Sequence, residues 1–337
     1  MSAATAAAFK ILAIGPNPAL QKVMSFDSPV QIGGVNRASQ VATYVGGKGQ
    51  GVALALERYS PGSSAVAQFL GGDTGKYVEE QLTTAGVEQL IQATSAPTRT
   101  CTTLLAAGQG GGTELIDPSG RVAEAELDGL LDKLDTYCES TSVGGLALCG
   151  TTPPGAASLY ASLANQLDEQ TSDSPPILLL DGHKQVEQVL CSGRVDVLKI
   201  NVDEARALTA MDRPRDCASR LLEGSGALLR RPGAMLALTD GPNPARLFLK
   251  GGGAFTFRVP VIECVNAIGA GDVCTAIFLH ELVVAARAGQ LNEDSAAEAF
   301  AMGLAAACAR CTHELPTAFD REEVNAMRGK IQVEKNS

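Results

Sequence analysis

The sequence lacks the features that mark several large classes of protein. It has no tryptophan and only 4% aromatic residues, and no apolar stretch reaches the roughly 18 residues of a membrane span. Acidic residues outnumber basic ones, 37 to 27, and the basic residues form no cluster, which argues against a general nucleic-acid binder. With 45% hydrophobic residues the composition is also not that of a disordered chain. We therefore predict a folded chain without a membrane span or a nucleic-acid partner.

The cysteines follow neither a disulfide nor a zinc pattern. There are nine, an odd number, scattered singly among apolar residues, unlike a small secreted scaffold. The one C-x-x-C, Cys308 with Cys311, has no second pair to complete a zinc site, so we predict buried helix cysteines. Residues 1–8 are too short and insufficiently apolar for a secretory signal. We expect a protein that is not secreted, and both the cytoplasm and an organelle such as a plastid stay open.

Short apolar runs alternate with longer segments of helical spacing, which predicts an α/β fold with a mostly parallel sheet covered by helices on both faces. The strand-like runs are 9–14, 65–70, 146–149, 177–180, 195–200 and 235–239. The helical segments are 51–58, 75–85, 156–167, 186–190, 203–208, 218–222 and 273–288.

Two stretches break this alternation, about 22–45 and 98–117. Both are rich in threonine, valine and glycine, and they predict hairpin-like β structure in a small separate sheet. No repeat or low-complexity linker divides the chain. We therefore expect one domain over 9–325, with these two stretches inserted and with flexible termini at 1–8 and 326–337.

Two glycine motifs are candidates for ligand-binding turns. Gly46-Gly47-Lys48-Gly49 precedes a helix, but it is neither a Walker A loop nor a G-x-G-x-x-G, so a plain flexible turn is an equal interpretation. The second motif runs from Asn266 to Gly269-Ala270-Gly271-Asp272 and opens the helix 273–288. Its free N–H groups at a helix N-terminus favour an anion. Asp272 is either a cap of that helix or a carboxylate base beside the anion site.

Several further motifs share the order and spacing of one family. They are Gly71-Gly72-Asp73 with Gly75, the turn 150–155, Asn201 to Glu204, Thr239-Asp240-Gly241, Asn17 to Leu20, Val35 to Ala38, and Thr98-Arg99. Together with the two glycine motifs they make the chain, over residues 9–320, resemble the ribokinase-type (PfkB) carbohydrate kinases. The branch that it resembles most contains 1-phosphofructokinase and tagatose-6-phosphate kinase.

The resemblance implies a ribokinase-like three-layer fold with a small β-sheet lid, and ATP and Mg²⁺ as cofactors. It implies that Asp272 deprotonates the acceptor hydroxyl and that the amides of Gly269, Ala270 and Gly271 form an anion hole. Asn201 and Glu204 would hold Mg²⁺ through water. The residues that would border the nucleotide are Lys199, Asn201, Thr239, Gly241 and Asn266. Those that would contact the sugar phosphate are Gln21, Arg37, Gly46, Gly47, Lys48 and Arg99.

Three residues depart from the family pattern. Gln21 stands where the family usually has an aspartate that grips sugar hydroxyls, and Gly51 stands where the branch prefers asparagine. Ala267 replaces a threonine of the second signature. The phosphoryl-transfer residues are thus retained and the sugar-contacting residues are altered.

These motifs lead to one main functional hypothesis and two alternatives. The main hypothesis is ATP-dependent phosphorylation of a phosphorylated ketohexose, with fructose 1-phosphate as the first candidate, by a chain that dimerises through the lid sheet. One alternative is a kinase for an unphosphorylated sugar or nucleoside, which would leave Arg37 and Arg99 without a ligand. The other is a fructokinase-like scaffold or regulator without catalysis.

Overall fold

A computed structural model describes residues 9–108, 112–169, 175–224 and 226–336. The expected flexible segment 1–8 lies outside the described residues. The strands are β1 Lys10–Ile14, β2 Ala19–Phe26, β3 Gln40–Gly46, β4 Ser64–Leu70, β5 Glu88–Ala93, β6 Arg99–Ala106, β7 Gly112–Ile116, β8 Val143–Cys149, β9 Ile177–Asp181, β10 Val197–Asn201, β11 Met235–Thr239, β12 Ala245–Leu249, β13 Ala254–Arg258 and β14 Gln332–Asn336. The helices are α1 Lys48–Tyr59, α2 Gly72–Thr84, α3 Glu124–Ser140, α4 Leu159–Glu169, α5 Glu187–Cys191, α6 Val202–Thr209, α7 Pro214–Leu222, α8 Ala270–Arg287, α9 Glu293–Cys311 and α10 Arg321–Arg328.

Ten strands form the main sheet in the order β14-β13-β12-β11-β10-β9-β8-β1-β4-β5. The neighbours from β11 to β5 are all parallel, whereas β12, β13 and β14 are joined antiparallel at one end. From β1 the chain proceeds to β4 and β5 on one side and later to β8 and β9 on the other, so the strand order reverses between β1 and β8. Ligands of open α/β sheets bind beyond the carboxyl ends of the strands at such a point.

Side chains that alternate along each strand divide the core into two layers. In β1, Ile11 and Ala13 face the layer that contains α1, α2, α8, α9 and α10, while Leu12 and Ile14 face the layer that contains α3 to α7. This alternation on both faces is why the strands read as continuous apolar runs. Where α8 and α9 pack together, a Cβ on Gly303 would come within 2.7 Å of the Cys274 carbonyl oxygen, so the alanine-rich α9 lies very close to α8. The predicted three-layer α/β architecture is confirmed.

The second sheet has four strands in the order β3-β2-β6-β7. The pairs β2–β3 and β6–β7 are antiparallel hairpins, and β2 and β6 join them in parallel. These strands fall within or next to the stretches 22–45 and 98–117, which confirms the predicted small sheet. We call this four-stranded unit the lid sheet.

The sequence patterns missed part of the architecture. They gave no prediction for α3, α10, β5 and the antiparallel strands β12 to β14. Of α9 they indicated only the end that carries Cys308 and Cys311, which are buried and half-buried there. The segment 326–337, expected to be a flexible tail, contains the end of α10 and the strand β14, which pairs with β13 from Gln332 to Asn336. Within the described residues, none of the helices combines the length and the apolarity that crossing a bilayer requires.

Candidate active site

Polar residues gather at the carboxyl ends of the central strands. Asp181 ends β9, Asn201 ends β10, and Thr239 ends β11. Asn201 and Thr239 are direct partners in the register of β10 and β11. Because parallel strands finish at the same edge of the sheet, these three side chains lie along one edge, where the reversal of strand order opens a crevice.

The N-terminus of α8 faces this crevice. Gly269 has φ +83° and ψ −3°, a left-handed conformation that favours glycine, and it is the residue before the first turn of α8. The peptide N–H groups of the first turn have no partner within the helix, which is what makes a helix N-terminus suited to an anion. Of these groups, the Ala270 N–H donates to the Ala267 carbonyl at 3.2 Å. The anion hole of Gly269, Ala270 and Gly271 stays a prediction that rests on this position at the start of α8.

Asp272 lies in the first turn of α8, and its carboxylate opens into a cavity of about 390 Å³ under the lid sheet. Burial is the main cause that raises the pKa of Asp272 to about 7, and the neighbouring carboxylate of Asp181 raises it further. The ammonium groups of Lys48 and Lys199 act in the opposite direction. A carboxylate with a pKa near neutrality can take up a proton at physiological pH, as a general base requires.

A buried ionic network lies beneath Asp272. Asp181 is fully buried and accepts hydrogen bonds from Lys48 Nζ at 2.8 Å and from Lys199 Nζ at 3.0 Å. The Thr275 hydroxyl, one turn further along α8, donates to Asp181 Oδ2 at 2.5 Å. Although burial opposes it, these two lysines hold the pKa of Asp181 far below its usual range. Asp181 is thus a permanent anion that fixes both lysines.

This network places Lys199 differently from the sequence-based expectation. Lys199 was expected to face a nucleotide phosphate, but it is buried and its ammonium group is bonded to Asp181. A Cβ on Gly271 would lie 3.9 Å from Lys199 Nζ, so the charge sits directly below the anion hole. The ammonium group of Lys199 therefore lies below this loop, bonded to Asp181, and does not line the cavity around Asp272.

Asn201 and Glu204 form the capping box of α6. The Asn201 side chain accepts from Glu204 N at 2.8 Å, and Glu204 Oε2 accepts from Asn201 N at 2.9 Å. The other carboxylate oxygen, Oε1, lies 3.2 Å from His183 Nδ1 and 3.9 Å from Lys48 Nζ. The capping box gives both residues a structural role, and one carboxylate oxygen of Glu204 still faces the crevice.

The residues at this edge fit a hydrated Mg²⁺ ion. In the part of the chain that the structure describes, no group of three or more His, Cys, Asp and Glu residues forms a closed metal cluster. Mg²⁺ typically keeps several waters and takes only one or two carboxylates alongside substrate phosphates. A single carboxylate oxygen on Glu204, at the edge where phosphates would bind, matches that requirement.

Two further nucleotide candidates stand at this edge. Thr239 ends β11, and Gly241 follows in a turn with φ +54°. Asn266 holds the loop before α8, because its Oδ1 accepts from Ile268 N at 2.9 Å and its Nδ2 donates to the Glu314 carbonyl at 2.8 Å. Thr239 and Gly241 thus stand at the edge of the crevice, while Asn266 fixes the loop before α8.

The acceptor candidates Gln21, Gly46 and Gly47 line the same cavity as Asp272. Gln21 Nε2 donates to Thr103 Oγ1 at 2.9 Å, a bond between two strands of the lid sheet. Gly47 has φ +110° and precedes α1, so the G-G-K-G motif is a turn that begins a helix and also a wall of the cavity. The turn interpretation of this motif is therefore confirmed, and contact with the acceptor stays a prediction.

Arg99 lines a second pocket, of about 220 Å³, which we call the basic pocket. Its Nη2 donates to the Asn17 carbonyl at 3.3 Å, and its Nε is buried without a hydrogen-bond partner. The pocket lining is Asn17, Lys48, Arg99, Cys149, Gly150, Thr151, Gly182, His183, Lys184 and Glu204. Three lysine or arginine side chains and one histidine in such a space favour an anionic ligand group.

Arg37 is not brought to this pocket. It is exposed in the segment between β2 and β3 and lies outside the lining of the cavities around Asp272 and Arg99. The sequence analysis also missed Asp181, Thr275 and His183. Asp181 could have been found, since it directly follows a buried apolar run, as Asn201 does, whereas the pairing of Thr275 with a residue 94 positions earlier has no local signal.

Gly51 has a role that its departure from the family pattern did not suggest. A Cβ at this position of α1 would lie 2.5 Å from Asp272 Oδ2. The Asp272 carboxylate therefore occupies space that only glycine leaves free.

We expect Gly51→Ala to lower kcat about 10- to 100-fold, because the added methyl group displaces the Asp272 carboxylate. Steady-state kinetics checks this, and circular dichroism monitors α1, where alanine is intrinsically the better helix former. Gly129→Ala in α3 is the matched control, since its Cβ meets only the end of the flexible Gln92 side chain. Unchanged turnover in Gly51→Ala would mean that the carboxylate relocates without loss.

An α/β kinase of the ribokinase architecture is the class that this fold and crevice define. Residues 19–322 match the pfkB family of carbohydrate kinases, and the chain belongs to that family. It is 28% identical over 278 residues, 81% of this chain and 85% of the relative, to a tagatose-6-phosphate kinase of Staphylococcus epidermidis. It is 33% identical over 145 residues, 43% of this chain and 45% of the relative, to a 1-phosphofructokinase of Haloferax volcanii.

Solved structures support the same fold. A possible 1-phosphofructokinase of Thermotoga maritima superposes with a TM-score of 0.79 at 19% identity, covering 97% of this chain and 100% of that chain. Phosphofructokinase-2 of Escherichia coli in complex with fructose-6-phosphate superposes with a TM-score of 0.78 at 18% identity, covering 96% and 99%. The predicted family is thus confirmed, and the protein is an ATP-dependent carbohydrate kinase.

Proposed function

We propose that this kinase transfers the γ-phosphoryl group of ATP to a hydroxyl of a phosphorylated ketohexose, with fructose 1-phosphate as the acceptor and fructose 1,6-bisphosphate as the product. The observation that carries the proposal is the arrangement around Asp272. A carboxylate with a raised pKa shares a cavity with the G-G-K-G turn, and the basic pocket around Arg99 adjoins the same end of α1. This arrangement offers one place for a reacting hydroxyl and another for an existing phosphate.

Asp272 takes the proton of the acceptor hydroxyl as its oxygen attacks the γ-phosphorus. The N–H groups of Gly269, Ala270 and Gly271 stabilise the negative charge on the transferred phosphoryl oxygens, and the helix dipole of α8 adds to this effect. The buried Lys199 below the loop contributes positive potential without contacting the ligand. Asp181 holds Lys48 and Lys199 in place, so their charges need no rearrangement during transfer.

ATP would lie along the ends of β10 and β11, bordered by Asn201, Thr239 and Gly241. Glu204 and Asn201 would hold Mg²⁺ through water, and the charge of the ion would partly neutralise the nucleotide phosphates. Glu204 also binds His183 and caps α6, so its carboxylate is held in one orientation toward the phosphates.

Glu204→Gln should raise the Mg²⁺ concentration for half-maximal activity by about 10-fold or more, because a neutral amide organises the ion's water shell less well. Glutamine preserves the capping box, so the fold of α6 stays intact. A Mg²⁺ titration of activity at fixed ATP checks this. Glu126→Gln is the matched control, since Glu126 likewise accepts the backbone N–H of Ala123 at the start of α3, remote from the crevice. An identical titration in both variants would reduce Glu204 to a helix cap.

The acceptor is tested by measuring ADP release with fructose 1-phosphate, fructose 6-phosphate, tagatose 6-phosphate, fructose and ribose. We expect the highest kcat/KM with fructose 1-phosphate. A preference for an unphosphorylated sugar would overturn the proposed substrate class. No ADP release with any acceptor, in a folded protein that binds ATP, would favour the non-catalytic scaffold.

We also propose that the lid sheet joins two copies of this chain. One face of this sheet carries a cross-strand row of Val41, Met24 and Leu104, with Leu115 on the next strand, and Val41 and Leu115 are each more than half exposed. An apolar row on an extended sheet is a surface that a second copy can cover. Light scattering of the wild type and of Leu115→Glu tests this, and a monomer in both would exclude the dimer.

A further inference from the structure

Two cysteines meet at the root of the anion hole. Cys264 lies in the connection between β13 and α8, two residues before Asn266, and Cys311 is the last residue of α9. The N–H groups of Val265 and Asn266 both donate to the Cys311 carbonyl, at 2.8 and 3.2 Å. These hydrogen bonds hold the backbone next to Cys264 against the backbone of Cys311. Disulfides form between cysteines whose Cα atoms are about 4.4–6.8 Å apart, and the bonded backbones bring the two Cα atoms near that distance.

The side chains of this pair also meet. The thiol of Cys264 interacts directly with the thiol of Cys311, and burial together with this neighbour raises the pKa of Cys311 to about 11. Cys264 is exposed and Cys311 is half-buried, so a small oxidant reaches the pair through Cys264. In the described residues these thiols belong to no cluster of three or more metal-ligating side chains.

The segment that carries Cys264 is coupled to the anion hole by hydrogen bonds. Arg310, fully buried beside Cys311, donates from Nη1 to the carbonyls of Asn266 and His313 at 3.0 Å each. The side chain of Asn266 in turn accepts from Ile268 N, directly before Gly269. Hydrogen bonds thus join residues 264–268 to the end of α9, directly before the N-terminus of α8.

We propose that Cys264 and Cys311 are a reversible disulfide site, and that the bond lowers kinase turnover by displacing the anion hole. This inference rests on the proposed function for its effect on activity but not for the formation of the bond. A disulfide shortens the sulfur–sulfur distance to about 2.05 Å. Formation of the bond draws the backbone of residues 264–266 toward α9. Because Asn266 is hydrogen-bonded to Ile268, Gly269 is displaced with it.

The oxidant is a low-molecular-weight disulfide such as oxidised glutathione. The Cys264 thiolate attacks one of its sulfurs and releases one glutathione thiolate, which takes a proton. The Cys311 thiolate then attacks the mixed disulfide at the Cys264 sulfur and releases the second glutathione. Two protein thiols are oxidised and one glutathione disulfide is reduced, and the protons lost by the protein thiols end on the two glutathione thiols.

The full chain is incubated in oxidised and reduced glutathione at several ratios, its free thiols are blocked, and its peptides are analysed by mass spectrometry. We expect a 264–311 cross-link and a fall in kcat of at least about 5-fold, both reversed by dithiothreitol. Cys264→Ser and Cys311→Ser should form no cross-link and keep their activity in oxidised glutathione. Cys191→Ser is the matched control, since Cys191 is also exposed but lies on α5, and it should behave like the wild type.

A glutathione adduct on Cys264 without the cross-link would overturn the disulfide. A cross-link with unchanged kcat would overturn the effect on turnover, and so would equal inhibition of Cys264→Ser. These failures are distinct from failure of the proposed function, in which the cross-link forms but the reduced protein phosphorylates no sugar phosphate.

Discussion

Replacing Asp272 with asparagine should lower kcat by about 10²- to 10⁴-fold while ATP binding stays nearly unchanged. The amide has nearly the same shape as the carboxylate but cannot take the hydroxyl proton. Steady-state kinetics and a nucleotide-binding titration measure the two effects separately. Asp73→Asn is the matched control, because Asp73 also lies in the first turn of its helix and follows two glycines, and its side chain is 99% exposed.

The raised pKa of Asp272 adds a pH dependence to this prediction. The base must be ionised to act, and its pKa is raised to about 7, so kcat/KM of the wild type should rise with pH up to about 7 and then level off. The residual activity of Asp272→Asn should lack this rise. Near-wild-type turnover in the variant, or the same pH profile, would remove Asp272 from the mechanism.

The same substitution should stabilise the fold at high pH. Since burial raises the pKa of Asp272, the folded state binds the proton more tightly than the unfolded state does. The resulting contribution to the stability of the fold is lost as the pH rises through about 7. The rise of the Asp272 pKa to about 7 corresponds to about 4 kcal/mol in the free energy of unfolding. Because the open side of the cavity admits water, we expect an effect of about 1–2 kcal/mol. Asp272→Asn should therefore unfold at a higher temperature than the wild type at pH 8, with the difference vanishing near pH 4.

Local signals in the sequence were sufficient for much of the fold and for the turn that begins α8. The strands β4, β9 and β11 are apolar runs bounded by turns, and the helix α8 begins within the Gly-Ala-Gly motif and ends before Gly289, whose φ is +66°. These features depend on backbone conformation and on the alternation of apolar runs with turn residues, both of which are set within a few residues. They can therefore be interpreted without knowing the rest of the chain.

The electrostatics of the site could not be predicted in this way. Whether Lys199 faces a phosphate or a buried carboxylate depends on Asp181, 18 positions earlier on the neighbouring strand. The meaning of Gly51 depends on Asp272, which lies on a different helix and is distant in the sequence. Likewise, β14 is a strand because it pairs with the free edge of β13. The five residues of β14 are all exposed, and no pattern among them indicates this pairing.

The basic pocket provides the test that separates phosphorylated from unphosphorylated acceptors. Arg99 lies there with Lys48 and Lys184, and its buried Nε has no partner among the described residues. An anion in the pocket would give that N–H an acceptor, and charge-assisted bonds of this kind contribute about 1.5–3 kcal/mol. An unphosphorylated sugar gains nothing from them.

Arg99→Ala should therefore lower kcat/KM for fructose 1-phosphate by about 10- to 150-fold and change the activity on plain fructose far less. Arg99→Lys should restore only part of the loss, since an ammonium group offers a point charge in place of a planar fork. Because a held phosphate also positions the hydroxyl against Asp272, part of the loss should appear in kcat.

The control for this comparison is Arg213→Ala, which removes an exposed arginine paired with Asp216 on α7. Arg37→Ala belongs in the same series. Arg37 is exposed between β2 and β3, so it contributes to acceptor binding only if a movement of the lid sheet or a second copy of the chain brings it to the acceptor. A selective loss with Arg99→Ala alone would assign the phosphate to the basic pocket. Equal losses on both sugars would instead make Arg99 a support for the Asn17 turn, whose carbonyl it binds, and the acceptor would then have no assigned phosphate site.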